Sequence, residues 1–329
     1  MFSLRSRVFW CAVLIASAPA ASFGQQQAAK DYPSRPIRLV VPYASGGGID
    51  FVGNLLARKI GPAIGQNLFI DNRAGAGGSI GTDVVAKSKP DGYTILLQSS
   101  AHGSLPSTYK SLPYDPVKDF TPITLVANSA GFVLVVHPSA PARSVKELIA
   151  LAKAQPGKLN YGSGGVGGVL HFAAEAFNVM AGTQIAHVPY KGLGAAIPDL
   201  LAGRIDSLIS AGMVALPYIR SGKLRALGMT AQARWSELPE VPTIDEAGLK
   251  GYSYVVWYGM WFPAGVPTEY VTRIRAEVVK ALEDPETNRA FTKQGTIPVA
   301  STPQEFSKTI VEDIEFHRKL AARIGLKPQ

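Results

Sequence analysis

The chain has 329 residues, and 33 lysines and arginines against 24 aspartates and glutamates give it a formal net charge of +9. With 47% hydrophobic and 17% charged residues, it is too apolar for a disordered chain and can bury a large core. Its only cysteine is Cys11, which excludes a disulfide framework and a zinc cluster of cysteines. At roughly 150 residues per domain, this length predicts about two domains.

The N-terminal segment has the pattern of a secretory signal peptide. Arg5 and Arg7 precede a short apolar stretch at 8–16, and small residues follow at 17–22. The stretch is too short to span a bilayer, which takes roughly 18 apolar residues. We therefore predict a signal peptide over residues 1–24, cleaved after Ala21 or Gly24, and a soluble product in the periplasm.

Strand-like and helix-like segments alternate along the rest of the chain. Short β-rich runs predict strands at 37–41, 68–70, 94–97, 132–136 and 205–209. Longer runs with helical spacing predict helices at 51–60, 145–154, 169–180, 195–202, 269–282 and 303–324. This alternation predicts an α/β fold with two lobes and largely parallel sheets.

Four strand ends carry loops rich in glycine or hydroxyl groups, and such loops are where ligands bind in open α/β sheets. In the first loop, 42–50, glycines allow close approach of the backbone, and the free N–H groups of the next helix favour an anion. Asp50 is interpreted first as the helix N-cap and alternatively as a ligand contact. A second loop offers Ser99 and Ser100, and another offers Tyr190 and Lys191, which either face a carboxylate or serve packing and solvation.

The remaining loop, at 161–167, contains the spacing Gly162-x-Gly164-x-x-Gly167 between a strand and a helix. A dinucleotide-binding loop also needs an acidic residue about 20 positions later, and residues 179–189 contain none. The loop is not a nucleophile elbow around Ser163, because Tyr161 stands where glycine is required. Anion binding at the following helix is the interpretation that remains.

Residues for metal binding, catalysis or nucleic-acid binding form no recognisable group in the sequence. The five histidines lack metal-ligand spacing, and no nucleophile and base stand out. Lysine and arginine are scattered rather than gathered in a basic stripe. We therefore expect no metal, no cofactor, no catalytic residues and no nucleic-acid partner.

Taken together, the loops resemble those of the Bug family, the TctC-like extracytoplasmic receptors of tripartite tricarboxylate transporters. The resemblance runs from about Tyr32 to Gly325. Its motifs occur in the family's order, at 42–50, 72–78, 89–93, 112–115, 119–122, 187–192 and 199–203.

This resemblance implies a type II periplasmic binding protein, in which two α/β lobes close over a ligand cleft like a Venus flytrap. We expect lobe 1 to comprise residues 25–127 and 251–329, and lobe 2 residues 128–250. The implied function is a monomeric solute-binding receptor for a small organic carboxylate, which is a di- or tricarboxylate, an amino acid or a related acid. The implied partner is a membrane transporter of the tripartite tricarboxylate type.

The resemblance also implies which residues hold the carboxylate, largely through backbone groups. The first lobe would contribute Tyr43, Ala44, Gly46, Gly47, Asp50, Ser99 and Ser100. The facing lobe would contribute Ser163, Gly164, Gly167, Tyr190 and Gly192, and strand-end geometry alone adds Ser210. The family often has phenylalanine at Tyr43, a hydroxyl residue at Ile49 and serine at Gly168, so these departures predict a ligand with a different, less polar tail.

Two alternatives differ in class from a transport receptor. An exported hydrolase would need a nucleophile and a base that the sequence does not show. A binding protein that signals to a membrane sensor would use the same site and differ only in its partner. The identity of the ligand does not follow from the sequence.

Overall fold

The computed structural model describes residues 32–190 and 192–328. The predicted signal peptide and Lys191 lie outside these residues. Helices cover the faces of two β-sheets, and the two α/β lobes predicted from the sequence are confirmed.

The first sheet has six strands in the order β11-β4-β10-β3-β1-β2. β1 runs parallel to β2 and β3, whereas β10 is antiparallel to β3 and β4, and β11 is antiparallel to β4. Its strands are β1 (Ile37–Val41), β2 (Leu68–Asn72), β3 (Thr94–Ser99), β4 (Phe120–Ser129), β10 (Trp257–Pro263) and β11 (Thr296–Pro298).

The second sheet has five strands in the order β7-β6-β8-β5-β9. β6 is parallel to β7 and β8, and β5 is antiparallel to β8 and β9. Its strands are β5 (Phe132–Val136), β6 (Asn160–Ser163), β7 (Ala186–Pro189), β8 (Ser207–Ala211) and β9 (Arg225–Met229).

Ten α-helices connect these strands in the described part of the chain. Those of the first half are α1 (Gly48–Ile64), α2 (Ser79–Ala86), α3 (Ala101–Thr108), α4 (Val145–Ala154) and α5 (Val169–Ala181), with a 3₁₀ turn at Ala76–Gly78. The others are α6 (Leu193–Leu201), α7 (Gly212–Arg220), α8 (Thr268–Glu283), α9 (Pro285–Lys293) and α10 (Pro303–Arg323).

The chain passes between the two sheets through segments that are hydrogen-bonded to each other. It leaves β4 at Ser129 and returns to β10 through Val256, and the Ser129 N–H donates to the Val256 carbonyl oxygen at 2.6 Å. In return, the Val256 N–H donates to Ser129 Oγ at 3.0 Å. Paired crossing segments of this kind can act as a hinge, because they let two packed bodies move without breaking either core.

Helix α10 also joins the two lobes. Phe306, near its start, is fully buried in the core beneath the first sheet, whereas Leu320 and Ala321, near its end, pack in the core of the second. Tyr252 and Tyr254 belong to the second core as well. The expected boundaries assign Tyr252, Tyr254, Leu320 and Ala321 to lobe 1, although all four pack in the core of the second sheet. The division of the chain into lobes therefore stays a prediction.

Candidate ligand-binding cleft

A cavity of about 530 Å³ lies where loops of both lobes meet. Its wall comes from the loops after β1, β3 and β6, from helix α3 and from the crossing segment before β10. The lining residues are Tyr43, Gly47, Gly48, Ile49, Gly77, Ser99, Ala101, Ser104, Leu105, Thr108, Tyr109, Val166, Gly167, Gly168, Val169, Val256 and Tyr258. No side chain among these described lining residues carries a charge.

The β1–α1 loop is held in shape by Asp50. The Asp50 carboxylate accepts hydrogen bonds from the Gly46 N–H and from Asn72 Nδ2, each at 3.0 Å. Asn72 Nδ2 also donates to the Tyr43 carbonyl oxygen at 3.0 Å. Gly47, in extended conformation, is the helix N-cap and no side chain caps α1, so the N-cap interpretation of Asp50 is wrong. The carboxylate instead binds its own loop.

Tyr43 and Ser99 form the polar side of the cavity. The Tyr43 hydroxyl lies 3.0 Å from Ser99 Oγ and 3.3 Å from the Gly77 carbonyl oxygen. Burial raises the pKa of Tyr43 to about 12, so the phenol is neutral at physiological pH. These contacts join the ends of β1 and β3 at one edge of the first sheet.

The β6–α5 loop is held by two stacked imidazoles. Ser163 Oγ lies 2.6 Å from His187 Nε2, and the Gly167 N–H donates to His171 Nδ1 at 3.0 Å. The two imidazole rings stack with centroids 4.1 Å apart. Burial lowers the pKa of both histidines to about 4, so both rings are neutral at pH 7 and can accept these hydrogen bonds.

The Ser163–His187 contact is a serine–imidazole pair that sequence reasoning missed. In a hydrolase such a pair needs an accessible hydroxyl and a third group that orients the imidazole. Ser163 is fully buried and does not line the cavity, and its Oγ also accepts from the Gly165 N–H at 3.1 Å. Among the described residues, no carboxylate is hydrogen-bonded to His187. The pair therefore stabilises the loop.

The structure brings four of the predicted site residues to the cavity, and these are Tyr43, Gly47, Ser99 and Gly167. Gly167 adopts φ +75, and a Cβ built there would lie 3.0 Å from Thr108 Cγ2, so the loop of the second lobe touches helix α3 of the first. Two helices begin at the cavity, α1 at Gly48 and α5 at Val169. Backbone N–H groups in a helix's first turn have no intrahelical acceptor and favour an anion.

The other predicted residues lie outside the lining, which leaves their ligand contacts as predictions. The Tyr190 hydroxyl donates to Asp199 Oδ2 at 2.8 Å, and the Gly192 N–H donates to the Gly164 carbonyl oxygen at 3.2 Å. Ser210 is fully buried within β8, paired with Val133 of β5. The complete set outside the lining is Ala44, Gly46, Asp50, Ser100, Ser163, Gly164, Tyr190, Gly192 and Ser210.

A smaller cavity of about 160 Å³ adjoins the first and shares Gly48 and Tyr258 with it. Ala211, the last residue of β8, Gly212, the first residue of α7, and Trp235 also line it. The strand-end argument that selected Ser210 therefore indicated a cavity wall, but the wall begins one residue later.

Sequence reasoning missed most of the apolar wall. Leu105, Thr108 and Tyr109 come from α3 and its end, and Val256 and Tyr258 come from the return crossing. Helix α3 has weak helical signals because it contains Gly103 and Pro106. The aromatic run before Pro263 was the one signal that could have indicated β10.

Within residues 32–190 and 192–328, no group of three or more side chains has a metal-binding arrangement. In the same part of the chain, no helix has the length and apolar character needed to cross a membrane.

Comparison with known proteins agrees with this architecture. The model of the tripartite tricarboxylate transporter family receptor matches residues 53–326. Protein BugT of Bordetella pertussis is 36% identical over 304 residues, covering 91% of this chain and 92% of BugT.

Two solved structures are similar over nearly their whole length. Rpa4515 of Rhodopseudomonas palustris with adipate has a TM-score of 0.76 and 34% identity, covering 91% of this chain and 100% of that one. MatC of the same organism, with bound malate, has a TM-score of 0.71 and 29% identity, covering 88% and 100%. The resemblance found in the sequence is thereby confirmed, and the chain belongs to the tripartite tricarboxylate transporter receptor family.

Proposed function

We propose that this receptor is exported to the periplasm, captures a small organic carboxylate in the cleft, and delivers it to a membrane transporter. The observation that carries the proposal is the convergence of the α1 and α5 N-termini, one from each lobe, on one cavity whose described lining has no charged side chain. Such an arrangement suits an anion held by backbone N–H groups.

At the upper end of its range, the expected strength of this arrangement is enough for a receptor. Each hydrogen bond to a charged group contributes roughly 1.5–3 kcal/mol, so three N–H donors supply about 4.5–9 kcal/mol. Micromolar binding corresponds to about 8.2 kcal/mol. No arginine is needed to reach that affinity.

The related structures with adipate and malate support a carboxylate as the ligand. The predicted contacts at Tyr43, Gly47, Ser99 and Gly167 are retained in this proposal because these residues line the cavity. Of the other nine predicted residues, exposed ones such as Gly46 and Gly164 would meet a ligand only through closure of the lobes about the crossing segments, whereas Ser163 and Ser210 are buried within the second lobe. We expect the receptor to act as a monomer.

Thermal stabilisation by a panel of mono-, di- and tricarboxylates tests the binding step, with calorimetric titration of each compound that stabilises. At a hundredfold excess of ligand over Kd, the stabilisation amounts to about 2.7 kcal/mol. Failure of every carboxylate to bind ligand-free protein would contradict the proposal. Formation of a product in proportion to protein concentration would favour the hydrolase alternative.

Uptake of the best-bound acid by cells tests delivery. Deletion of the receptor gene should abolish saturable uptake, and the wild-type gene should restore it. Binding without any loss of uptake would instead favour a receptor that serves a membrane sensor.

A further inference from the structure

We propose that the ligand is a hydrophobic monocarboxylate, with one carboxylate on an aliphatic or aromatic body of about six carbons or more. This inference rests on the proposed function, because it assumes that the cleft binds a carboxylate. The cleft also selects against a second carboxylate on the ligand.

Much of the cavity wall is apolar. Leu105 is buried in it, and Val169, Val256 and the ring of Tyr258 are half-buried beside it. A six-carbon body laid against these side chains would lose contact with water, and each methylene group buried in this way improves affinity roughly fourfold.

The hydroxyl groups of α3 that face the cavity are already used within the helix. Ser104 Oγ donates to the Ala101 carbonyl oxygen at 3.3 Å, and Thr108 Oγ1 donates to the Leu105 carbonyl oxygen at 3.1 Å. These hydroxyls therefore offer no unshared proton to a ligand. A second carboxylate placed beside Ser104 and Thr108 would lose its water without gaining comparable donors.

The neutral phenol of Tyr258 lies beside the start of helix α1. A Cβ built at Gly48, the first residue of α1, would lie 3.2 Å from the Tyr258 hydroxyl oxygen. This hydroxyl is therefore positioned to assist the N–H groups of α1 in holding one carboxylate.

The volume of the cavity also favours a ligand that has a carbon skeleton beyond its carboxylate. A cavity of about 530 Å³ lies within the range of roughly 300–1,000 Å³ that is typical of small-molecule sites. Burying an ionised carboxylate without donors or a counter-charge carries a large desolvation cost, and no side chain of the described lining supplies a counter-charge to a second carboxylate. A dicarboxylate that instead leaves its second group in water keeps its carbon chain off the apolar side chains.

The decisive comparison is calorimetric titration with hexanoate and adipate at pH 7.5. The two acids have six carbons each and differ by one terminal carboxylate. We expect hexanoate to bind at least tenfold more tightly than adipate, and cyclohexanecarboxylate and benzoate to bind at least as tightly as hexanoate. Equal or tighter binding of adipate would overturn the inference.

An isosteric substitution tests whether the wall itself makes this selection. Val256→Thr places a hydroxyl on the wall and should weaken hexanoate about threefold while changing adipate less than twofold. Val255→Thr is the matched control, because Val255 is also half-buried but does not line the cavity. Equal effects of the two substitutions on hexanoate would contradict the role of the wall.

Lys191→Ala completes the test, because Lys191 is the one cation of the 187–192 loop. The ratio of the hexanoate and adipate affinities should change less than twofold in this variant. A wild-type preference for adipate that is lost in Lys191→Ala would place the second carboxylate on that ammonium and overturn the inference. Adipate binding without hexanoate binding would leave the proposed function intact, whereas no binding of any carboxylate would contradict the proposed function itself.

Discussion

Substitution of Asp50 by asparagine separates support of the β1–α1 loop from contact with a ligand. The Asp50 side chain is mostly buried and accepts hydrogen bonds from the Gly46 N–H and Asn72 Nδ2, each at 3.0 Å. In Asp50→Asn one carboxylate oxygen becomes an amide NH2 group. This group cannot accept a hydrogen bond from the Gly46 N–H or the Asn72 Nδ2 that it faces. The variant thus loses at least one charge-assisted hydrogen bond even when no ligand is present.

The expected cost is about 1.5–3 kcal/mol in the free energy of unfolding, which is the contribution of one hydrogen bond to a charged group. For a protein of this size, that cost corresponds to a fall in Tm of roughly 3–6 °C. Urea denaturation followed by circular dichroism measures the free energy, and a thermal scan of the ligand-free protein measures Tm.

Glu269→Gln is the matched control for this measurement. Glu269 is likewise an acidic residue in a first helical turn, that of α8, but it is exposed and makes no side-chain hydrogen bond to a described residue. Its substitution should cost no more than about 1 kcal/mol, the contribution of a charge at a helix terminus. If ligand-free Asp50→Asn unfolds like the wild type but binds ligand far more weakly, Asp50 is a ligand contact and its loop-supporting role is refuted.

Three further outcomes are expected. Gly47→Val should weaken carboxylate binding at least tenfold, about 1.4 kcal/mol by calorimetry, because Gly47 lines the cavity. The fold should stay intact, because a Cβ at this residue meets one carbonyl oxygen at 4.0 Å and no closer protein atom. Unchanged affinity would contradict the site. The pKa of His187 is lowered to about 4 from 6.5, so the unfolded chain takes up the proton first as the pH falls and gains stability relative to the folded protein. Between pH 7 and pH 5, denaturation should therefore show a larger loss of stability in the wild type than in His187→Phe. Equal losses would refute this. Gly259→Ala should lower the free energy of unfolding by about 1–3 kcal/mol or more, because its Cβ would lie 2.0 Å from Phe306 Cζ. The control Gly194→Ala should not lower it, because no atom lies within 4 Å of its Cβ and alanine is favoured over glycine within helix α6.

Some of the predicted site could not have been assigned from the sequence, because the direction of a side chain depends on distant partners. Tyr190 turns to Asp199 of α6, and Ser210 lies inside the second sheet against β5. Asp50 illustrates the same point, since its partner Asn72 lies on a neighbouring strand, 22 positions along the chain. Each residue stands at or near the strand end that the sequence indicated, but the strand end does not determine which group it contacts.

The sequence by itself determined the local elements and the places where loops converge. The helix predicted at 145–154 has the bounds of α4, and those predicted at 169–180 and 303–324 differ from α5 and α10 by one residue, because helical periodicity is encoded within a single segment. Only the tertiary structure decided the central antiparallel strands and the apolar wall. β10 pairs with β4 across more than a hundred residues, and this long-range pairing, together with the position of α3 at the cavity, places the wall of the cavity. Such contacts depend on segments that are far apart in the chain and therefore leave no periodic signal within any one of them.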